Sequence, residues 1–91
     1  MDECKRFRIA GKVQGVYFRA ATKAEADRLG ITGWVRNVPS GEVEVFACGK
    51  AEHIDTLAKW LGQGPPRARV TSVQQYPAQP EQHHFFDVRD D

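Results

Sequence analysis

The sequence predicts an α+β domain in which two helices cover one face of a mixed, mostly antiparallel β-sheet. Runs of alternating apolar and polar residues are separated by two stretches rich in helix-forming residues, and the order of elements is β-α-β-β-α-β. Two interleaved strand–helix–strand units of this order give the split-βαβ, or ferredoxin-like, α/β sandwich. With 91 residues, the chain is expected to form a single domain over residues 1–91.

The first half of the chain predicts two strands around one helix. Residues 5–13 alternate between apolar and charged side chains, as in a half-buried strand. Residues 19–29 are rich in helix formers, and Gly30 is suited to end that helix in the left-handed conformation. Residues 31–38 predict the second strand, which a turn at residues 39–41 connects to a third strand at residues 42–48.

The second half predicts a clear amphipathic helix followed by two strands. Its apolar residues recur at helical spacing, so they form one stripe: Ala51, Ile54, Leu57, Ala58 and Leu61. Gly62 is predicted to end the helix, and the segment GPP at residues 64–66 prevents its continuation. A fourth strand is predicted at residues 67–76 and a short fifth strand at residues 84–89.

Composition and charge exclude several classes of function. There are 13 basic and 12 acidic side chains, a net charge of +1. Broad binding of nucleic acid needs a strong positive surplus, so we expect no nucleic-acid partner. No run approaches the roughly 18 apolar residues of a membrane span, and the first residues do not resemble a secretion signal. We therefore expect a cytoplasmic protein that binds no membrane.

The two cysteines, Cys4 and Cys48, leave two alternatives open. In the predicted topology the third strand runs antiparallel beside the first, and both cysteines have even numbers, which places both on the face without helices. They can therefore be cross-strand neighbours within disulfide distance. A cytoplasmic compartment favours two free thiols instead.

A glycine and an arginine mark the start of the first helix as a candidate anion site. The first N–H groups of a helix have no internal partner and carry a partial positive charge. Gly15 lets the backbone curl so that successive N–H groups converge, and the Arg19 guanidinium can bind phosphoryl oxygens in two places. The same residues are also compatible with an ordinary turn and a capping arginine, because neither the nucleotide P-loop nor G-x-G-x-x-G is present.

Three segments resemble the signatures of the acylphosphatase family. They are GKVQGVYFR at residues 11–19, GWVRNVPSGEVEV at residues 33–45 and GPPRARV at residues 64–70. The resemblance covers nearly the whole chain in the right order and spacing. It departs at the C-terminus, where Asp90 and Asp91 replace the aromatic or basic ending of many members, which leaves the packing of the tail open.

The resemblance implies hydrolysis of the carboxyl–phosphate bond of a small acyl phosphate, without metal or cofactor. Arg19 and Asn37 are implied as catalytic residues, with Asn37 orienting the attacking water. The implied phosphate-binding residues are Gly15, Val16, Tyr17, Phe18 and Arg19. The alternative is a non-catalytic domain that binds acyl or carbamoyl phosphate, as acylphosphatase-like domains do occur inside larger maturation proteins. We expect a monomer.

The residue types in these motifs are compatible with hydrolysis of an acyl phosphate. The leaving group is a carboxylate whose conjugate acid has a pKa of about 4, so it departs without a proton and needs no general acid. Phosphoryl transfer depends mainly on positioning and on stabilising the charge of the equatorial oxygens. Asn37 is also compatible with a purely structural role near a turn. His53, His83 and His84 lack a further ligand at a matching spacing, so we expect no metal site.

Overall fold

A five-stranded sheet and two helices make up the computed structural model, which describes residues 2–90. The elements are β1 (Asp2–Lys12), α1 (Phe18–Leu29), β2 (Thr32–Asn37), β3 (Val43–Lys50), α2 (Ala51–Gln63), β4 (Arg69–Pro77) and β5 (Phe86–Arg89). The predicted fold class and order of elements are confirmed. Among residues 2–90, no helix is both long enough and apolar enough to cross a membrane.

The strands are arranged in the order β4-β1-β3-β2-β5. Strand β3 lies between β1 and β2 and is antiparallel to both, so β1 and β2 run in the same direction without touching. At one edge, β4 is antiparallel to β1, and at the other, β5 is parallel to β2. As a result, β1, β2 and β5 all end at the same edge of the molecule.

The core lies between the sheet and the two helices. Phe7 and Ile9 of β1 and Val43 and Val45 of β3 are fully buried, as their odd-numbered positions predict. The α2 stripe meets this face through its fully buried residues, Ile54, Leu57 and Leu61. Burying such side chains stabilises a fold by about 1.5–3 kcal/mol each, so this layer fixes how the strands and helices are stacked.

The predicted end of α2 at Gly62 is wrong. The helix continues to Gln63, and Gly64 ends it with a φ of 71° and an N–H that donates to the Trp60 carbonyl oxygen at 2.8 Å. A Cβ at residue 64 would lie 2.8 Å from the Phe18 ring, so this position needs glycine for space as well as for conformation. Gly30 ends α1 as predicted, with a φ of 70°.

The other differences from prediction concern strand ends. β1 begins earlier than residue 5 because its pairing with β3 continues to the pair Asp2–Lys50. β4 begins at Arg69 instead of residue 67 because the Ala68 N–H donates to the Pro65 carbonyl oxygen and closes a turn. β5 begins at Phe86, two residues later than predicted.

The sheet face without helices carries the two cysteines. Cys4 lies directly opposite Cys48 in the β1–β3 register, their Cα atoms are 4.1 Å apart, and the structure joins their sulfur atoms. On the same face the rings of Trp34 and Phe46 stack with their centroids 5.8 Å apart. The pattern of even-numbered residues thus brings the cysteines together, and the structure takes the disulfide alternative.

Candidate active site

The connection from β1 to α1 is held in place by three buried side chains. Val13, Val16 and Phe18 are all at most 5% exposed and belong to the main core. Between them, Gly15 and Tyr17 lie at the surface. This alternation fixes the loop to the core through its apolar side chains and leaves its backbone at the surface.

The backbone of this loop adopts two left-handed residues in close succession. Gly15 has a φ of 74°, and Tyr17 has a φ of 63° and a ψ of 24°. Tyr17 is the single non-glycine residue with a positive φ among residues 2–90. A left-handed aromatic residue is strained, and such strain concentrates at functional sites. Turns that contain left-handed residues can direct successive N–H groups into a concavity that binds anions.

The N–H groups of this turn have no acceptor within the part of the chain that the structure describes. The first backbone bond of α1 runs from the Ala21 N–H to the Tyr17 carbonyl oxygen at 3.0 Å. Before it, the N–H groups of residues 15–20 donate to no backbone or side-chain oxygen of residues 2–90. Together with the positive end of the helix dipole, they favour an anion at this position.

Arg19, in the first turn of α1, is held by the end of the chain. Its Nη1 atom donates to the Arg89 carbonyl oxygen at 2.8 Å and to Asp90 Oδ1 at 2.9 Å. Its Nε and Nη2 atoms have no acceptor among residues 2–90, so they remain able to bind phosphoryl oxygens. The C-terminal tail therefore contacts this guanidinium through Asp90. Sequence reasoning did not predict this contact. Asp91 lies outside the described residues.

Asn37 is the last residue of β2 and pairs with Val43 across the β2–β3 hairpin. Its side-chain oxygen Oδ1 is buried, and it has no hydrogen-bond partner among residues 2–90. A buried acceptor without a donor is unfavourable by about 1–3 kcal/mol. Asn37 also lines the cleft described below, so its side-chain amide lies next to any molecule bound there.

Gln14 connects the loop to this hairpin. Its Nε2 atom donates to the Val38 and Glu42 carbonyl oxygens, both at 2.9 Å. Sequence reasoning missed the role of Gln14, and the only available signal was its place beside Gly15 within the first motif.

The loop between β1 and α1 and the end of β2 line one cleft of about 470 Å³. Gly15, Arg19 and Asn37 supply its polar part, and Arg67 from the turn before β4 adds a further positive charge. Tyr17, which is 78% exposed, and Val88 of β5 give it an apolar rim. Gly15, Tyr17, Phe18 and Arg19 thus line the same cleft as Asn37, from which the sequence separates them. Val16, the remaining predicted phosphate-binding residue, is buried in the core and does not line the cleft.

The histidines lie away from this cleft. His83 packs against Phe46 at 5.6 Å and contacts Glu81, on the face without helices. Within residues 2–90, no group of three or more histidine, cysteine or carboxylate side chains is placed to hold a metal ion. Among the described residues, the polar lining of the cleft includes the side chains of Arg19, Asn37 and Arg67.

Known proteins resemble this chain over nearly its full length. The acylphosphatase family model matches residues 5–88. An acylphosphatase from Nitrosococcus oceani is 48% identical over 98% of this chain and 100% of its own. One from Halorhodospira halophila is 54% identical over 85% of this chain and 84% of its own. A solved acylphosphatase structure from Coxiella burnetii superposes with a TM-score of 0.94 at 41% identity, covering 97% of this chain and 93% of that one.

Proposed function

The chain belongs to the acylphosphatase family and has acylphosphatase activity (EC 3.6.1.7), and we propose that the cleft at the start of α1 is where it hydrolyses acyl phosphates. In this proposal the N–H groups of residues 15–19 and the Arg19 guanidinium hold the phosphoryl group. The side chain of Asn37 orients the attacking water.

One observation carries this assignment of roles. The N–H groups of residues 15–20 have no acceptor among residues 2–90, and neither do the Nε and Nη2 atoms of Arg19. Arg19 lines the same cleft as Gly15, Tyr17, Phe18 and Ala20. Convergent N–H groups and an arginine are the arrangement that stabilises the charge on equatorial phosphoryl oxygens during transfer. Because these donors are fixed by the core and by the tail, they need little reorganisation when the substrate binds.

The proposed reaction is a direct attack of water on phosphorus. The side-chain amide of Asn37, which lines the cleft, forms a hydrogen bond with the water and orients a lone pair toward the phosphorus atom. The bond between phosphorus and the carboxyl oxygen breaks, and the carboxylate leaves as an anion without a proton. The proton of the water passes to an oxygen of the transferred phosphate, so the site needs no basic side chain.

The test is the release of benzoate and phosphate from benzoyl phosphate in the presence of EDTA. We expect catalysed hydrolysis that EDTA does not change, because the proposed roles belong to the chain's own N–H, guanidinium and amide groups. Loss of activity in EDTA that added metal restores would contradict the proposed chemistry. Tight binding of the substrate with no catalysed hydrolysis would instead identify a domain that only binds acyl phosphates.

A further inference from the structure

We propose that Gln14 is a positioning residue that sets the distance between the anion-binding loop and Asn37. The inference rests on the proposed function, because it concerns the alignment of the phosphoryl group with the attacking water. Gln14 directly precedes Gly15, the first residue of the loop, and its amide bonds Val38, the residue that directly follows Asn37. One side chain therefore connects the backbones on both sides of the reacting atoms.

The two bonds of Gln14 define its orientation. Both partners, the Val38 and Glu42 oxygens, are carbonyl acceptors, so only the NH₂ end of the amide can face them. The same two oxygens also close the hairpin loop: the Val38 N–H donates to the Glu42 oxygen and the Gly41 N–H donates to the Val38 oxygen, both at 3.0 Å. The Gln14 amide therefore binds the hairpin at the two oxygens that also accept these backbone bonds of its loop.

No other side chain makes this connection among the described residues. Of the side-chain hydrogen bonds made by residues 13–20, those of Gln14 are the ones that reach residues 37–43. Val13 and Val16, which flank Gln14 in sequence, are buried, so the backbone of Gln14 is held against the core. The two hydrogen bonds at 2.9 Å thus add a direct restraint between the loop and the hairpin to the backbone pairing of β1 with β3.

The first test is Gln14→Met, which keeps the length of the side chain and removes both donors. We expect kcat for benzoyl phosphate to fall about ten-fold or more, since small misplacements of reacting groups have effects of this size. The inhibition constant of inorganic phosphate should change less than about two-fold, because the N–H groups and Arg19 are untouched. Gln75→Met is the matched control: Gln75 is an exposed glutamine on β4, away from the cleft, and should leave both constants unchanged.

The second test is Gln14→Glu, which has a distinctive pH dependence. The ionised carboxylate faces two carbonyl oxygens and repels them, whereas the protonated acid can donate one hydrogen bond. The ratio of variant to wild-type kcat should therefore rise as the pH falls and this carboxyl becomes protonated. A ratio that does not change with pH would contradict the role of the donated bond.

Hydrogen exchange separates a failure of this inference from a failure of the proposed function. In Gln14→Met, the N–H groups of Val38 and Gly41 should exchange faster than in the wild type, whether or not the protein hydrolyses benzoyl phosphate. A Gln14→Met variant with unchanged kcat and unchanged exchange would overturn the inference. A parallel loss of kcat and phosphate affinity with a lowered melting temperature would also overturn it, because Gln14 would then only support the fold.

Discussion

Arg19 joins the start of α1 to the end of the chain and also lines the cleft. Its Nη1 atom is occupied by the Arg89 carbonyl oxygen and Asp90, while Nε and Nη2 have no acceptor among residues 2–90. A guanidinium held on one side keeps its remaining N–H groups in a fixed direction, which suits a planar grip on two phosphoryl oxygens.

Replacing Arg19 with alanine should remove most of the activity and keep the fold. We expect kcat/KM for benzoyl phosphate to fall about 10²–10³-fold. This corresponds to a loss of roughly 3–4 kcal/mol of transition-state stabilisation, as expected when a donor to the transition state is removed. Far-UV circular dichroism should match the wild type, since the side chain is not part of the core. Arg28→Ala is the matched control, because Arg28 lies on the same helix and pairs with Glu25, outside the cleft. Near-normal turnover by Arg19→Ala would exclude the proposed role.

Asn37→Ala tests the orientation of water separately from phosphate binding. The substitution removes the buried Oδ1 and leaves the loop and Arg19 in place. We therefore expect kcat to fall by at least about ten-fold, while the inhibition constant of inorganic phosphate changes little. Equal losses in both constants would identify Asn37 as a structural residue of the hairpin.

At the scale of single residues, the sequence indicates the cleft residues that we propose act on substrate better than the residues that hold them in place. Arg19 and Asn37 are predicted through motifs with fixed spacing. Gln14 and Asp90 are not, because their partners are carbonyl and guanidinium groups that only the folded chain brings near them. No local pattern in the sequence marks such distant contacts.

At the scale of elements, apolar spacing predicts which face is buried more accurately than where an element ends. The odd-numbered residues of β1 and β3 and the α2 stripe face the core as predicted. The end of α2 at Gly64 could not be predicted from propensity alone, since Gly62 is also a glycine near a proline. What distinguishes Gly64 is the Phe18 ring beside it, a contact from a different helix.

The disulfide between Cys4 of β1 and Cys48 of β3 is expected to stabilise the fold. The bond connects residues 44 apart in sequence, so it restricts the unfolded chain strongly. Reduction should lower the free energy of unfolding by about 2–4 kcal/mol, as measured by urea denaturation with and without dithiothreitol. The double variant Cys4→Ser, Cys48→Ser is the control and should not respond to dithiothreitol. Two free thiols per chain in unreduced, denatured protein would contradict the bond.

At the scale of the whole molecule, the topology explains why the cleft exists. β1, β2 and β5 run in the same direction, so their carboxyl ends meet at one edge of the sheet. The anion loop follows β1, Asn37 ends β2, and Asp90 follows β5. Groups that are up to 75 residues apart, from Gly15 to Asp90, therefore line or support one cleft. Interleaving the two strand–helix–strand units is what makes this possible, and the order of elements predicts it.

The most direct measurement of the central claim is a titration of the ¹⁵N-labelled protein with inorganic phosphate, followed by amide NMR shifts. We expect saturable shifts concentrated at the N–H groups of residues 15–20, with the Arg19 side-chain Nε–H shifting at the same phosphate concentration. The Arg19→Ala variant should need a much higher concentration to reach the same shifts. Shifts that are absent from residues 15–20, or that are spread over the basic side chains of the whole surface, would contradict the claim that this loop holds the phosphoryl group.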